Sequence, residues 1–286
     1  MPTVAFATCV TLPEPDVDEA KLLAACHTAG IQAETAPWDD HSVDWGKYAL
    51  VVVRSTWNYC LHETAFREWI SQVAAQTPLW NPAEVMLRTI HKSYLMELNH
   101  QGIPIVPTRI VQKDAPICLD SLLAETGWKD FVIKPAVSAG SHMTHRFSLG
   151  ELDSARAWLG AILQSNDAMV QEFMEKVPDG GEISLIHIGG ELTHGVIKHP
   201  RYAGGEESVS AAVQPSEAQR AMCKAIFNTV LDPLLYARVD LMCDNHGDWV
   251  LSELELIEPS LFLSQHPPAL QAFVKLVAGK LSGWPT

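Results

Sequence analysis

Tyr236-Ala-Arg-Val-Asp-Leu-Met242 and Val250-Leu-Ser-Glu-Leu-Glu-Leu256 flank the tripeptide Asn245-His246-Gly247. Asn and Gly between two β-rich runs signal a hairpin, which predicts adjacent antiparallel strands over Tyr236–Cys243 and Asp248–Leu256. Successive side chains on a strand point to opposite faces. Glu253 and Glu255 therefore share a face, with Leu254 and Leu256 on the other, and Arg238 and Asp240 do likewise on the partner strand. Three carboxylates on one face repel one another unless a cation joins them. Mg²⁺ suits them, because it takes hard oxygen ligands and leaves positions open for phosphate oxygens. Arg238 is placed to neutralise phosphate charge. A solvated face with ordinary ion pairs is the other reading, and the apolar surroundings argue against it.

Upstream of this hairpin the chain alternates strand and helix. Val4–Val10 reads as a buried strand, and Asp18–Ala29 as a helix stopped by Gly30. Gln32–Ala36 is a short strand, Tyr48–Val53 a strongly apolar one, and Glu63–Ala75 a helix. That alternation predicts a parallel sheet with crossover helices. In such sheets function gathers at the carboxyl ends of the strands, where Arg54, Ser55, Thr56 and Asn58 follow Val53. A turn with aromatic packing is the alternative for that loop.

The middle of the chain carries a second phosphate signal. Lys134 interrupts the strand Phe131–Pro135 and precedes the small-residue loop Val137-Ser-Ala-Gly-Ser141. A compact cation beside small side chains suits a phosphate, since backbone N–H groups can then approach its oxygens. An edge-strand lysine with no such role is the competing reading. Helices are expected at His91–Gln101, Leu149–Gln164 and Glu217–Leu231, and a strand at Ala168–Met174. Glu182–Ile188 and Glu191–Lys198 read as a hairpin across Gly189-Gly190, and His199–Val213 as a mobile loop.

Composition sets the outer limits. The 286 residues are 47% apolar and carry 34 acids against 20 bases, a net charge of −14, with no basic run. That argues against a nucleic-acid or anionic-membrane binder. No apolar stretch reaches the ~18–20 residues that span a bilayer. The six cysteines are scattered without CxxC spacing, as expected of reduced thiols in the cytoplasm. No GxGxxG follows the first strand, which argues against a dinucleotide-binding dehydrogenase.

Taken in order, these pieces resemble the ATP-grasp superfamily. The resemblance rests on Lys92 in His91-Lys-Ser-Tyr running into Gly102-Ile-Pro-Ile-Val-Pro-Thr108, on Lys134-Pro135, on Gln171-Glu172-Phe173, on Arg238-Val-Asp240 and on Glu253-Leu-Glu255. It implies an α/β (α+β grasp) protein: a Rossmann-like domain over 1–88, then an ATP-grasp domain over 89–286. A small lid subdomain would cover about 105–174 and a C-terminal subdomain 175–286. It implies ATP and Mg²⁺ as cofactors. Lys92, Lys134, Ser138, Gly140 and Ser141 would meet phosphates, and the backbone of Glu172 and Phe173, next to Gln171, would meet adenine. Glu182 would lie near the ribose, and Asp240, Glu253 and Glu255 would hold the metal.

Trp38-Asp-Asp40, Arg54-Ser-Thr-Trp-Asn-Tyr59, Leu79-Trp-Asn-Pro82 and Glu255-Leu-Ile-Glu-Pro-Ser-Leu-Phe262 are similar to the glutathione-synthetase-like branch. Within it they most resemble the O-ureidoserine cyclo-ligases of cycloserine biosynthesis. That implies an ATP-dependent carboxylate–amine ligase or cyclo-ligase acting through an acylphosphate on an amino-acid-like molecule. Arg238, Lys198 and Arg201 would balance charge in the reaction, and Arg54, Ser55, Thr56 and Asn58 would grip the substrate. A homodimer, free of membrane and nucleic acid, is expected. The alternative is an ATP-binding sensor without ligase activity. Three departures from the family stand out: Glu255 takes the place of the usual Asn, the phosphate loop has a single glycine, Gly140, where relatives often have several, and Glu206-Glu207 stand where a basic residue is expected.

Overall fold

The computed structural model describes residues 2–116, 119–199, 208–230 and 232–282. Its first sheet is parallel, with order β2-β1-β3-β4, from β1 (Thr3–Thr8), β2 (Gln32–Pro37), β3 (Leu50–Ser55) and β4 (Leu79–Trp80). Every residue of β3 is buried, as expected of a central strand covered on both faces. Helix α1 (Glu19–Thr28) lies on one face and α2 (Glu63–Gln76) on the other. Phe66, Trp69, Ile70 and Val73 recur at helical spacing on α2 and bury its inner stripe against Val51 and Val53.

Two short helices, α3 (Ala83–Thr89) and α4 (Tyr94–His100), lead into the second sheet. It is antiparallel, with order β5-β8-β6-β7, from β5 (Thr108–Val111), β6 (Asp130–Pro135), β7 (His145–Ser148) and β8 (Ala168–Glu172). Helices α5 (Leu119–Thr126) and α6 (Leu152–Ile162) close its apolar face around Phe131, Ile133 and Leu159.

After the one-turn helix α7 (Val177–Gly180), the third sheet is antiparallel, with order β11-β10-β9-β12-β13. Its strands are β9 (Glu182–Ile188), β10 (Glu191–His199), β11 (Ser208–Val209), β12 (Tyr236–Cys243) and β13 (Trp249–Glu255). Helix α8 (Glu217–Phe227) packs on one face. Helix α9 (Pro267–Leu281) packs on the other with Phe273 and Val277, joining β9 and β1 in one core. Asn81 fastens the first sheet to the third: its amide donates to the carbonyls of Tyr236 and Leu256 and accepts from the Leu235 N–H.

Two local expectations change, and one strand is found that the sequence did not mark. The helix expected from His91 begins at Tyr94, and the Lys92 N–H before it donates to the Ala136 carbonyl. The stretch after Pro107 contains β5, whose Thr-Arg-Ile-Val run finds a ladder partner in β8. Within His199–Val213, His199 and Ser208–Val209 are strand, pairing β10 with β11, and residues 200–207 lie outside the described set. No described helix is long and apolar enough to cross a membrane.

Candidate active site

The β12–β13 ladder sets Arg238 opposite Glu255 and Asp240 opposite Glu253. All four side chains stand on the face turned away from Leu254 and Val239, so the ladder brings two charges of each strand together. Arg238 is 7% exposed and grips both oxygens of Asp240, at 2.9 and 2.8 Å. The same guanidinium also pairs with Glu255. Asp240 further accepts from Ser184 Oγ at 2.6 Å and from Lys198 Nζ at 3.2 Å. Lys198 completes the ring with Glu182 at 2.8 Å. Gly181, just before β9, makes that approach possible: its φ is +74°, and a Cβ there would lie 2.8 Å from the Lys198 carbonyl.

Two further lysines enter from above the ladder. Lys92 is 6% exposed; its ammonium pairs with Glu253 and donates to the Ser138 carbonyl at 2.9 Å. Lys134, on β6, has no hydrogen bond or ion pair among the described residues. The loop between β6 and β7 passes beside both lysines. Gly140 and Ser141 take left-handed backbone there, with φ of +56° and +59°. The amides of Ser138, Gly140 and Ser141 donate to no acceptor among the described residues. Backbone N–H groups left open beside lysines make an anion cradle.

Burial and proximity drive the ionisation of this nest in opposite directions. Burial pushes Asp240 up, but Arg238 and Lys198 overcome it and hold the carboxyl well below the usual range. Glu253 is likewise lowered: Lys92 and Lys134 outweigh its burial. Burial dominates at Glu255, which rises to about 8 despite Arg238. Burial lowers the Lys134 ammonium, with partial compensation from Glu253. Lys92 goes the other way, since Glu253 offsets the burial that would lower it.

The carboxylates suit a hard divalent cation chemically, and their register places Asp240 beside Glu253. As they stand, no three His, Cys, Asp or Glu side chains among the described residues converge on one point. Glu253 and Glu255 are held by Lys92 and Arg238 instead. A metal would therefore be held by Asp240, Glu253 and Glu255 only as those two cations turn to the phosphates.

Comparison with known proteins places this arrangement. Residues 4–81 match the family model described as D-cycloserine synthetase DcsG, N-terminal domain. The chain is 29% identical to the cycloserine biosynthesis protein DcsG of Streptomyces lavendulae, covering 95% of this chain and 96% of the relative. The crystal structure of D-cycloserine synthetase DcsG matches with a TM-score of 0.90 at 28% identity, over 98% of this chain and 99% of that one. The D-alanine–D-alanine ligase of Bacillus anthracis complexed with ATP shares the fold, with a TM-score of 0.73 at 14% identity over 99% and 98% of the two chains. The chain has the ATP-grasp fold and is an ATP-dependent ligase.

Several residues of the ligase marked from sequence are engaged elsewhere. Asn58 accepts from Trp38 Nε1 at 2.7 Å and donates to Asp39 at 2.8 Å, so its amide is spent inside the first domain. The Ser55 hydroxyl donates to Thr8 Oγ1. Gln171 donates to Thr108 Oγ1 at 2.8 Å. The N–H groups of Glu172 and Phe173, expected to meet adenine, donate to the carbonyls of Pro107 and Asp130. Arg54 is 2% exposed and donates to the Pro259 carbonyl at 3.1 Å; its Nε and Nη2, and the Thr56 hydroxyl, are buried without a partner among the described residues. Arg201 lies outside the described residues.

One carboxylate at the site went unmarked. Glu258, three residues past Glu255, is 7% exposed, and burial pushes it up to about 7 against the pull of Lys92 and Arg238. Its signal in the sequence was an acid inside the apolar run Leu256-Ile-Glu-Pro-Ser-Leu261.

Proposed function

We propose that this ligase uses Mg·ATP to activate the carboxylate of an amino-acid-like small molecule and joins it to nitrogen, within the same molecule or a second one. The observation that carries this reading is the nest itself: Arg238, Lys198, Lys92 and the free Lys134 face Asp240, Glu253 and Glu255 on one ladder. Such a set is made for neutralising a triphosphate while its terminal group is transferred. The likeness to D-cycloserine synthetase along the whole chain supports a cyclo-ligase, in which the nitrogen belongs to the same molecule.

The chemistry needs two steps. An oxygen of the substrate carboxylate attacks the γ-phosphorus and ADP leaves, which gives an acylphosphate. The nitrogen then attacks the acyl carbon, phosphate leaves with the C–O bonding pair, and the nitrogen gives up its proton. Lys134 and the amides of Ser138, Gly140 and Ser141 hold phosphate oxygens; Arg238 and Lys198 offset the negative charge of the transferred group. Mg²⁺ on Asp240, Glu253 and Glu255 supplies Lewis-acid polarisation of the phosphates when bound. The β5–β8 sheet, the lid of the site over about 105–174, excludes water from the acylphosphate. The working form is a homodimer in the cytoplasm.

The test is ADP and phosphate release from Mg·ATP across a panel of amino acids and dipeptides that includes O-ureido-D-serine, with Lys134→Ala as control. Turnover with one compound, lost in the variant, supports the reading. No turnover and no nucleotide binding at all would sink it.

A further inference from the structure

The segment that follows β13 is held in an unusual way. Four successive carbonyls are each gripped by a side chain from another element. Tyr236 Oη donates to the Ile257 carbonyl, Trp57 Nε1 to Glu258, Arg54 Nη1 to Pro259 and Arg238 Nη1 to Ser260. Arg54 reaches it from the end of β3, Trp57 from the loop that follows, and the other two clamps come from β12, so the first and third sheets fix the segment jointly. Arg54 is thereby a positioning residue for this backbone.

On that fixed backbone the Glu258 carboxylate has no charged partner. It makes no ion pair and no hydrogen bond with another described residue, only one with its own backbone N–H, although the residue is more than nine-tenths buried. Its charge reaches Lys92, Arg238, Tyr59 and Cys60, which places the carboxylate where the nest meets the loop after β3. The nearby cations are already committed. Lys92 is held by Glu253 and the Ser138 carbonyl, and Arg238 by Asp240 and Glu255. A buried carboxylate without a charged partner is disfavoured, and a ligand that supplies the missing charge relieves that cost. Mg·ATP brings its own anionic charge to the lysines and Arg238, so it leaves Glu258 uncompensated. The missing partner must be a compact cation with several N–H donors, arriving with the second substrate.

We propose that Glu258 receives the ammonium group of an α-amino-acid substrate and so sets the ligase's preference for amino acids over their deamino counterparts. The assignment rests on the ligase reading above. Asn58 was among the residues expected to grip the substrate, and its commitment to Trp38 and Asp39 leaves the amine without that partner. A carboxylate clamped in place needs no reorganisation on binding, which favours affinity and orients the substrate against the phosphates.

The experiment is calorimetric titration of the protein saturated with Mg·ADP. The probes are O-ureido-D-serine, D-serine, D-alanine and L-serine, with propionate and D-lactate as deamino controls. At least one amino acid should bind the wild type, and Glu258→Gln should weaken it by about 30-fold or more, the scale of removing one partner from a buried charge pair. Glu258→Asp, which keeps the charge, should recover part of the loss, which a purely structural role would not produce. Mg·ADP affinity should stay within about threefold in both variants, and the deamino controls should bind weakly throughout. The proposal fails if Glu258→Gln binds the amino acid as tightly as the wild type. It also fails if propionate or D-lactate matches the amino acids, or if Mg·ADP affinity falls in step with amino-acid affinity. If Mg·ADP binds and no amino acid does, the ammonium assignment is wrong and the ligase reading stands. If Mg·ADP itself does not bind, the ligase reading falls first.

Discussion

The loop after β3 and the β12–β13 ladder carry similar side chains to opposite ends. Each has an arginine, polar neighbours and aromatic company. At the end of β3 and in the loop after it, Ser55, Trp57, Asn58 and Arg54 spend hydrogen bonds on Thr8, the Glu258 carbonyl, Trp38 with Asp39, and the Pro259 carbonyl. On the ladder, Arg238, Asp240, Glu253 and Glu255 bind other charges, and those charges can be exchanged for a nucleotide and its metal. A polar group spent wholly on fixed neighbours builds the scaffold. A polar group that answers another mobile charge is available for chemistry. Residue type is the same in both cases; the partner decides.

The comparison can be broken at several points. The largest effect is expected at Arg238. Its replacement by Met strands Asp240 and Glu255 in the interior, so unfolding in urea should show a loss of about 3–5 kcal/mol, and turnover should vanish. Lys134→Ala separates chemistry from stability. Lys134 has no partner to strand, so melting temperature should hold or rise slightly, while ADP release falls by about 10²–10³-fold, as for other groups that stabilise a transition-state charge.

The scaffold side predicts the reverse pattern. Asn58→Ala should cost about 1–3 kcal/mol in denaturant, because Trp38 and Asp39 lose their partner, with KM changed less than about threefold in the folded enzyme. A large rise in KM for the amino-acid substrate would instead return Asn58 to the site. The smallest effect concerns pH. Burial raises Glu258 to about 7, so the folded chain keeps a proton that the unfolded chain releases at lower pH. Stability from this group is therefore present in acid and lost as pH rises toward about 7. Nucleotide-free Glu258→Gln should melt higher than wild type at about pH 8 and lose that advantage by about pH 5; an equal difference at both pH values would contradict the burial of the charge.

Much of the fold was legible because its signals are local. Alternation in Val250–Leu256 and the Asn-His-Gly turn place the hairpin within a residue or two of its observed bounds. The register that sets Arg238 opposite Glu255 was not legible from that turn, because a bulge between Asp240 and Leu241 shifts the ladder by one residue. Strand β5 and the pairing of β10 with β11 were not legible, since two to four residues become strand only when a ladder partner is at hand. The site divides in the same way. The residues that meet the nest lie on alternating strands or beside a lysine with small neighbours. Glu258 was passed over because a lone acid before a proline has no pattern, and its burial depends on clamps from Trp57 and Arg54 about two hundred residues away.

The sequence by itself determined which groups could carry charge to one face, because strand periodicity is a property of consecutive residues. Only the tertiary structure decided which of those groups are already satisfied. It took Asn58, Ser55 and Gln171 into the scaffold and left Lys134 and Glu258 without a side-chain partner among the described residues. The reason is that a hydrogen bond depends on two atoms meeting, and here the second atom comes from a distant part of the chain.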